Sequence, residues 1–427
     1  MSKIDAAATR KIVAAGLPRR HRKEFLFRTC GLLATAVGIV FLAIFFASLI
    51  GQGYSAFSQS YVTLEIEFAE DTLAPDGELD LAYADFDGLV RTSLRKLFPD
   101  VRDRRARREL NRLVSIGAGF QVRDAIAANP GLLGTTKSMQ VPASANVDMV
   151  LKGNIGRAVP EAQRPVSDRQ LGWIDVLLQE GRLEKRFNSA LFENGDSREP
   201  ELAGIRGAVM GSFYMLIIAL LISFPIGTAA AVYLEEFAPK NRWADLIEVN
   251  INNLAAVPSI VFGLLGLAVF INWIGIPRSS PLVGGLVLSL LTLPVIIIAS
   301  RAAIKAVPPS IREAALGLGA SRMQVVGHHV LPLALPGMLT GAIIGMSRAL
   351  GESAPLLMIG MVAFIVDVPS GFTDPATALP VQVYLWADSP ERAFAERTSA
   401  AIIVLLGFLL VMNFTAVILR KRFERQW

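Results

Sequence analysis

The stretch Val307-Pro-Pro-Ser-Ile-Arg-Glu-Ala-Ala-Leu-Gly-Leu-Gly-Ala-Ser-Arg-Met323 is short, polar and punctuated by proline and glycine, and it lies between two apolar runs. Its two prolines end the helix before them, because proline removes a backbone donor and clashes with the preceding turn. Ser310 and Glu313 have the S-x-x-E spacing that predicts a capping box. A short helix over Ile311–Leu318 follows, and Gly319 suits the left-handed position after its end. Ser321 predicts the cap of a second short helix reaching about Val330, with Pro332 opening the next apolar run. The local chemistry thus predicts two short surface helices joined by a glycine turn.

On either side, the chain is dominated by apolar segments. Thr29–Gly51, Gly207–Leu234, Val249–Pro277, Ser279–Ser300 and Thr398–Leu419 carry no charge. Each supplies the roughly 20 apolar residues that a helix needs to cross a bilayer. A sixth run, Leu333–Val366, is interrupted only by Arg348 and Glu352. The expected fold class is therefore an α-helical membrane protein with six transmembrane helices. Composition agrees: 52% of the 427 residues are hydrophobic and 19% charged, with a mean hydropathy of +0.46. The first run is longer than the apolar part of a signal peptide, about 7–15 residues, so it reads as an uncleaved anchor.

Lysine and arginine near the span ends set orientation. Residues 1–28 carry Lys3, Arg10, Lys11, Arg19, Arg20, Arg22, Lys23 and Arg28 against Asp5 and Glu24. This predicts a cytoplasmic N-terminus, and six spans return the C-terminal Arg420, Lys421, Arg422 and Arg425 to the same side. The loops bearing Lys240/Arg242 and Arg301/Lys305/Arg312/Arg322 fall on that side as well. Both termini are expected in the cytoplasm.

The polar segment 52–205 is then an extracytoplasmic domain inserted after residues 29–51. Long domains translocate largely regardless of charge. Gly51–Ala203 is mildly acidic, with 23 acidic and 19 basic residues. Val62, Leu64, Ile66 and Phe68 alternate with polar residues, a strand signal. Leu89–Leu97 and Arg102–Val114 read as amphipathic helices, and Trp173–Phe187 as either helix or strand. This predicts a small α+β domain with one core. The run Arg102, Arg104, Arg105, Arg107, Arg108 and Arg112 reads first as a solvated helix face, and second as an anion or partner patch.

The single cysteine, Cys30, excludes an internal disulfide. His21, His328 and His329 have no metal-ligand spacing, and no nucleophile–base set suggests an enzyme. No G-x-x-x-x-G-K-[ST] sequence is present, so the chain carries no ATPase of its own. Arg348 and Glu352 are a different matter. A charge at membrane depth costs about 3 kcal/mol or more and usually faces a bundle interior or a water-filled path. Four residues apart, the two share a helix face. Gly351 and Pro355 beside them invite a break, and Leu333–Val366 would span about 50 Å as one helix.

These motifs resemble those of ABC importer permeases. Glu313-Ala314-Ala315, Gly319 and Leu331-Pro332 are similar to that family's EAA loop; His329 departs from the aliphatic residue often found there. The run Ser347-Arg-Ala-Leu-Gly-Glu-Ser-Ala-Pro-Leu-Leu357 resembles the R-x-x-GE[TS]AP signature of phosphate importer permeases. So do Asn252–Gly263, Pro225-Ile-Gly227 with Tyr233-Leu-Glu-Glu236, and Leu379-Pro-Val381. The resemblance covers about Ala203 to the C-terminus and points to the PstA-type permeases, in a long form with an extra extracytoplasmic domain.

The resemblance implies a type I ABC importer permease architecture over 206–427, set in a bacterial inner membrane. It implies that the 307–332 loop couples to an ATPase through Glu313, Ala314, Ala315 and Gly319. It also implies a phosphate pathway by alternating access. No cofactor is expected in this chain, since ATP and Mg would be held by a partner ATPase dimer. A second homologous permease, a phosphate-binding protein and the lipid bilayer are the other expected partners; nucleic acid is not. Arg348, Glu352, Ser353 and Ser259 are the candidate pathway residues. Arginine's planar fork suits an oxyanion, while the alternative for the charged pair is an ion pair that fixes helix packing. A permease for another oxyanion or solute, and a membrane sensor, remain as alternative functions.

Overall fold

A computed structural model describes residues 6–73, 81 and 84–423. Lys3, Asp5 and Arg425, counted above, lie outside the described residues, as do the side chains of Arg10 and Lys11. The chain divides at Gln52/Gly53 into two units. The first is one helix, Ala6–Gly53, which runs through both the basic segment and the Thr29–Gly51 apolar stretch, with Pro18 inside it.

In the second unit, the alternation read from Val62 onward becomes the central strand of a three-stranded sheet. Strand β1 (Ser58–Glu67) lies between β2 (Thr136–Pro142) and β3 (Leu183–Phe187), both antiparallel to it. The register sets Val62 opposite both Val141 and Leu183, and Leu64 opposite Met139. Because side chains alternate across a strand, Val62, Leu64 and Ile66 fall on one face, and all three are fully buried. Helices Phe86–Leu97, Arg104–Asn111, Gly117–Ala128, Ala145–Lys152 and Asp168–Gln179 pack around the sheet. Leu94, Leu110, Ile126, Ile174 and Leu177 join the sheet residues in a single core.

Trp173–Phe187, read as helix or strand, contains both: the end of the Asp168–Gln179 helix and all of β3. The arginine run does form a solvated face. Asp103 Oδ2 caps its helix, accepting from the Arg105 and Ala106 amides at 3.0 Å each. Ala106 and Leu110 turn inward while all six arginines are exposed.

Long helices Arg206–Val232, Pro281–Ala306, Leu331–Leu350 and Phe394–Phe423 form the apolar bundle. Its core includes Met215, Ala219, Phe262, Val287, Leu291, Met346, Leu350 and Leu356. Five described helices are long and apolar enough to cross a membrane, or six counting one bent pair. That pair corrects the expectation of a simple third span. The uncharged run Val249–Pro277 takes in the end of the Arg242–Ala255 helix and all of Ser259–Trp273, which meet at 102°. Pro258 explains the break: a residue before proline is driven out of the helical region, and Pro258 itself is extended, with ψ 136°.

The domain is fastened to the start of the last long helix by buried charge. Lys152 Nζ lies 2.5 Å from Asp148 Oδ2 and 2.7 Å from Glu396 Oε1, with all three side chains at most 7% exposed. Asp148 Oδ1 accepts from the Ser60 amide and hydroxyl, and Ser55 and Asn154 donate to Glu396 Oε2. Arg397, also buried, donates to the Ala203 carbonyl. This many partners is what lets ionised groups leave water.

Candidate functional site

Two places answer to the sequence expectations. The first is the Val307–Met323 loop. Its helix runs Pro309–Gly317, and the Ser310/Glu313 capping box does not form. Pro308 holds the cap position and Pro309 the first helical one, where its missing N–H costs nothing and its fixed φ suits the helix. The helix therefore starts before Ser310 can cap it.

Glu313 and Ala314 face outward, whereas Ala315 is buried among Ala231, Ile304, Val330 and Ala334. Gly319 has φ +87°, a conformation that glycine adopts without a Cβ penalty. Ser321 does form a capping box, with Gln324. The helix it caps is not separate: Arg322–Val325 passes through a π turn, Val326–Val330, straight into Leu331–Leu350. Around Glu313 and Ala314 the surface is apolar, with Leu316, Leu318 and Met323 all exposed.

The second place is the break after Leu350. The long helix stops at Gly351, and a short helix, Ala354–Met358, begins after Ser353. Arg348 Nε stands 3.6 Å from Glu352 Oε1, with side chains 49% and 21% exposed. The pair expected from the spacing is present, but it is not sealed in the core. Ser259 is the first residue of the short helix after the 102° bend. That helix packs on Ala354–Met358 at close range: a Cβ on Gly263 would come 2.7 Å from the Pro355 backbone. Gly263 meets Pro355 and Met358, and Gly266 meets Ile359. Ser259 opens one of these two packed short helices and Ser353 caps the other, with Glu352 next to Ser353 in the chain.

Residues 223–426 match the family described as the inner membrane component of binding-protein-dependent transport systems. Residues 14–161 match a domain of unknown function, DUF3333. The phosphate transport system permease protein PstA of Haemophilus influenzae is 30% identical over 223 residues, 52% of this chain and 78% of that protein. PstA 1 of Mycobacterium tuberculosis is 30% identical over 217 residues, 51% of this chain and 70% of that protein. The chain belongs to this family of inner-membrane permeases.

The permease is also 41% identical over 155 residues to the probable ABC transporter permease protein YqgI of Bacillus subtilis, covering 36% of this chain. It spans about half of that relative's length, 52%. Among solved structures, a chain of the inward-facing MetNI methionine ABC transporter overlaps 52% of this permease and 96% of its own length at 21% identity, with a TM-score of 0.40.

One set of contacts in the permease has no counterpart among the sequence expectations. Arg312 donates from Nε and Nη2 to Glu236 Oε1, at 3.0 and 2.8 Å, and also to the Val307 and Ile304 carbonyls. Arg301 donates to Glu235 Oε1 at 2.5 Å and Glu248 Oε2 at 2.8 Å. The partners are 53 to 76 residues apart, so no local pattern reveals them. The only signal was the tandem Glu235-Glu236 closing an apolar run.

Proposed function

We propose that this permease is a subunit of an ATP-driven importer of inorganic phosphate, working by alternating access. The 30% identity over 78% of the Haemophilus phosphate permease supports the substrate most directly. In this reading an extracytoplasmic binding protein delivers phosphate and a second permease completes the pathway. An ATPase dimer, carrying ATP and Mg, seats on the 307–332 loop at Glu313, Ala314, Ala315 and Gly319. Exposed Leu316, Leu318 and Met323 suit burial against such a partner, since apolar surface gains on leaving water. The basic N-terminal segment 1–28, span 29–51, extracytoplasmic domain 52–205 and transmembrane region 206–427 follow from this topology, with both termini in the cytoplasm.

Arg348, Glu352, Ser353 and Ser259 line the path. Half-exposed and 3.6 Å from its partner, the Arg348 fork is loosely held. A loosely paired guanidinium can exchange its carboxylate for a phosphate, to which it can donate two parallel hydrogen bonds.

The test is uptake of labelled phosphate in cells lacking other phosphate importers and carrying the permease with its partner subunits. The unmutated protein is expected to restore uptake. Arg348→Ala and Glu313→Ala are each expected to lower uptake at least tenfold at unchanged membrane abundance. If the complete system moves another oxyanion and not phosphate, the substrate assignment fails and the transporter reading stands.

A further inference from the structure

The tandem carboxylates Glu235 and Glu236 have no role in the function proposed above, yet each is spent on a different guanidinium. They lie in the π turn Tyr233–Phe237 that ends the long helix Arg206–Val232. Glu235 holds Arg301, near the end of the Pro281–Ala306 helix, and lies 3.4 Å from Lys305. Arg301 also holds Glu248, on the Arg242–Ala255 half of the bent pair. Glu236 holds Arg312, the residue immediately before the Glu313-Ala314-Ala315 face. Arg312 in turn closes the end of the Pro281–Ala306 helix by donating to the Ile304 and Val307 carbonyls, two of the acceptors that a helix C-terminus leaves open.

Four elements thus converge on one continuous chain of charge: Glu248, Arg301, Glu235, Glu236, Arg312. The Glu235, Glu236, Arg301 and Arg312 side chains are only 12–22% exposed. At that burial the bonds are less screened than surface pairs, and a guanidinium sharing two carboxylates or two carbonyls has little freedom to move alone. The short helix itself has a single buried residue, Ala315. Its apolar anchorage is Ala315 with partly buried Ile311, and Arg312 adds the polar tie to the spans.

We propose that Arg312 with Glu236, backed by Arg301 with Glu235 and Glu248, is the strut that carries motion of the Pro309–Gly317 helix to the ends of three membrane helices. Arg312 and Glu236 are positioning residues: they leave the ATPase-facing surface intact and set how far its displacement travels. The inference rests on the transporter reading above.

The strut is tested in the complete complex, reconstituted with its ATPase, second permease and binding protein. Cys30→Ser removes the native thiol, and a fluorophore on Trp273→Cys, exposed at the far end of the bent pair, reports ATP-driven rearrangement. Glu236→Gln is expected to leave ATPase co-purification and basal ATP hydrolysis at parental level. It is expected to cut the ATP-driven fluorescence change and phosphate uptake at least tenfold. Glu236→Asp and Arg312→Lys, which keep the charges but lengthen or thin the contact, should fall between the two and guard against a misfolded Gln variant. Parental responses in Glu236→Gln would overturn the strut, and so would loss of ATPase co-purification, which makes these residues an assembly contact. A parent complex that neither changes fluorescence with ATP nor carries phosphate overturns the transporter reading and this inference together. A parent that responds to ATP but carries no phosphate leaves the strut measurable and sinks only the substrate.

Discussion

The cluster at Lys152 and the pair at Arg348 are built from the same kinds of charge and differ in how far they are sealed. Lys152, Asp148 and Glu396 are at most 7% exposed, and each carboxylate has further donors. Arg348 is 49% exposed and 3.6 Å from its only described carboxylate partner. A sealed network fixes geometry, because removing one member strands the others in a medium that cannot solvate them. An open pair contributes little to stability, and for that reason its members can take other partners. The first suits a joint between a domain and a helix, and the second suits a site that a passing anion occupies and leaves.

Breaking the sealed network should have the largest effect. Lys152→Met leaves Asp148 and Glu396 buried without their shared cation. It is expected to destabilise the protein by about 3–5 kcal/mol, read as a large fall in the Tm of the purified chain in detergent. Arg348→Lys sharpens the contrast. It should leave Tm within about 1 kcal/mol of the parent, yet lower phosphate uptake roughly tenfold, since a point charge replaces the two-pronged donor. If uptake is untouched, only the charge at 348 matters and the fork plays no part.

Gly263→Ala tests whether the half-helix packing around the open pair is tight. Its Cβ would meet Pro355 backbone at 2.7 Å, and overpacking of that kind costs about 1–3 kcal/mol. The expected result is a lowered Tm together with reduced uptake, whereas a neutral outcome would mean that the two half-helices separate easily.

The smallest effect is a pH dependence in the inserted domain. Burial pushes the Glu201 carboxyl above its ordinary 4.5, against a lowering contribution from the Ser115 hydroxyl. The folded chain therefore keeps that proton to higher pH than the unfolded chain. The group's contribution is complete below about 4.5 and is lost as pH rises through the raised value. Glu201→Gln should remove this decline and raise Tm by roughly 1–3 °C at pH 7, with no gain at pH 4.5. An equal gain at both values would mean that Glu201 is already ionised when folded.

The contrast between sealed and open charge also marks what the sequence could disclose. The open pair was visible because its members are four residues apart in an otherwise apolar run, a spacing that helix geometry translates directly into contact. The sealed network and the Arg312–Glu236 bond were not, because their members meet only after the chain has folded back over scores of residues. The glycine turn at 319 and the Ser321 cap were legible, since backbone preference is local. The Ser310/Glu313 capping box was misread because two prolines had already decided where that helix begins. The third span looked straight because hydropathy measures how apolar a segment is and carries no direction. Pro258 was the one residue in it that signalled the bend.

The π turn at Val326–Val330 bears on how this region's surface is mapped. A π turn accommodates one residue more than an α-helical turn, and one residue corresponds to about 100° of rotation at 3.6 residues per turn. A helical wheel drawn continuously from Arg322 to Leu350 would therefore assign the residues beyond the turn to the wrong sector. Cysteine-scanning or cross-linking periodicities measured along this helix should show a phase jump of about a quarter turn at Val326–Val330, and residues on either side of it need separate wheels.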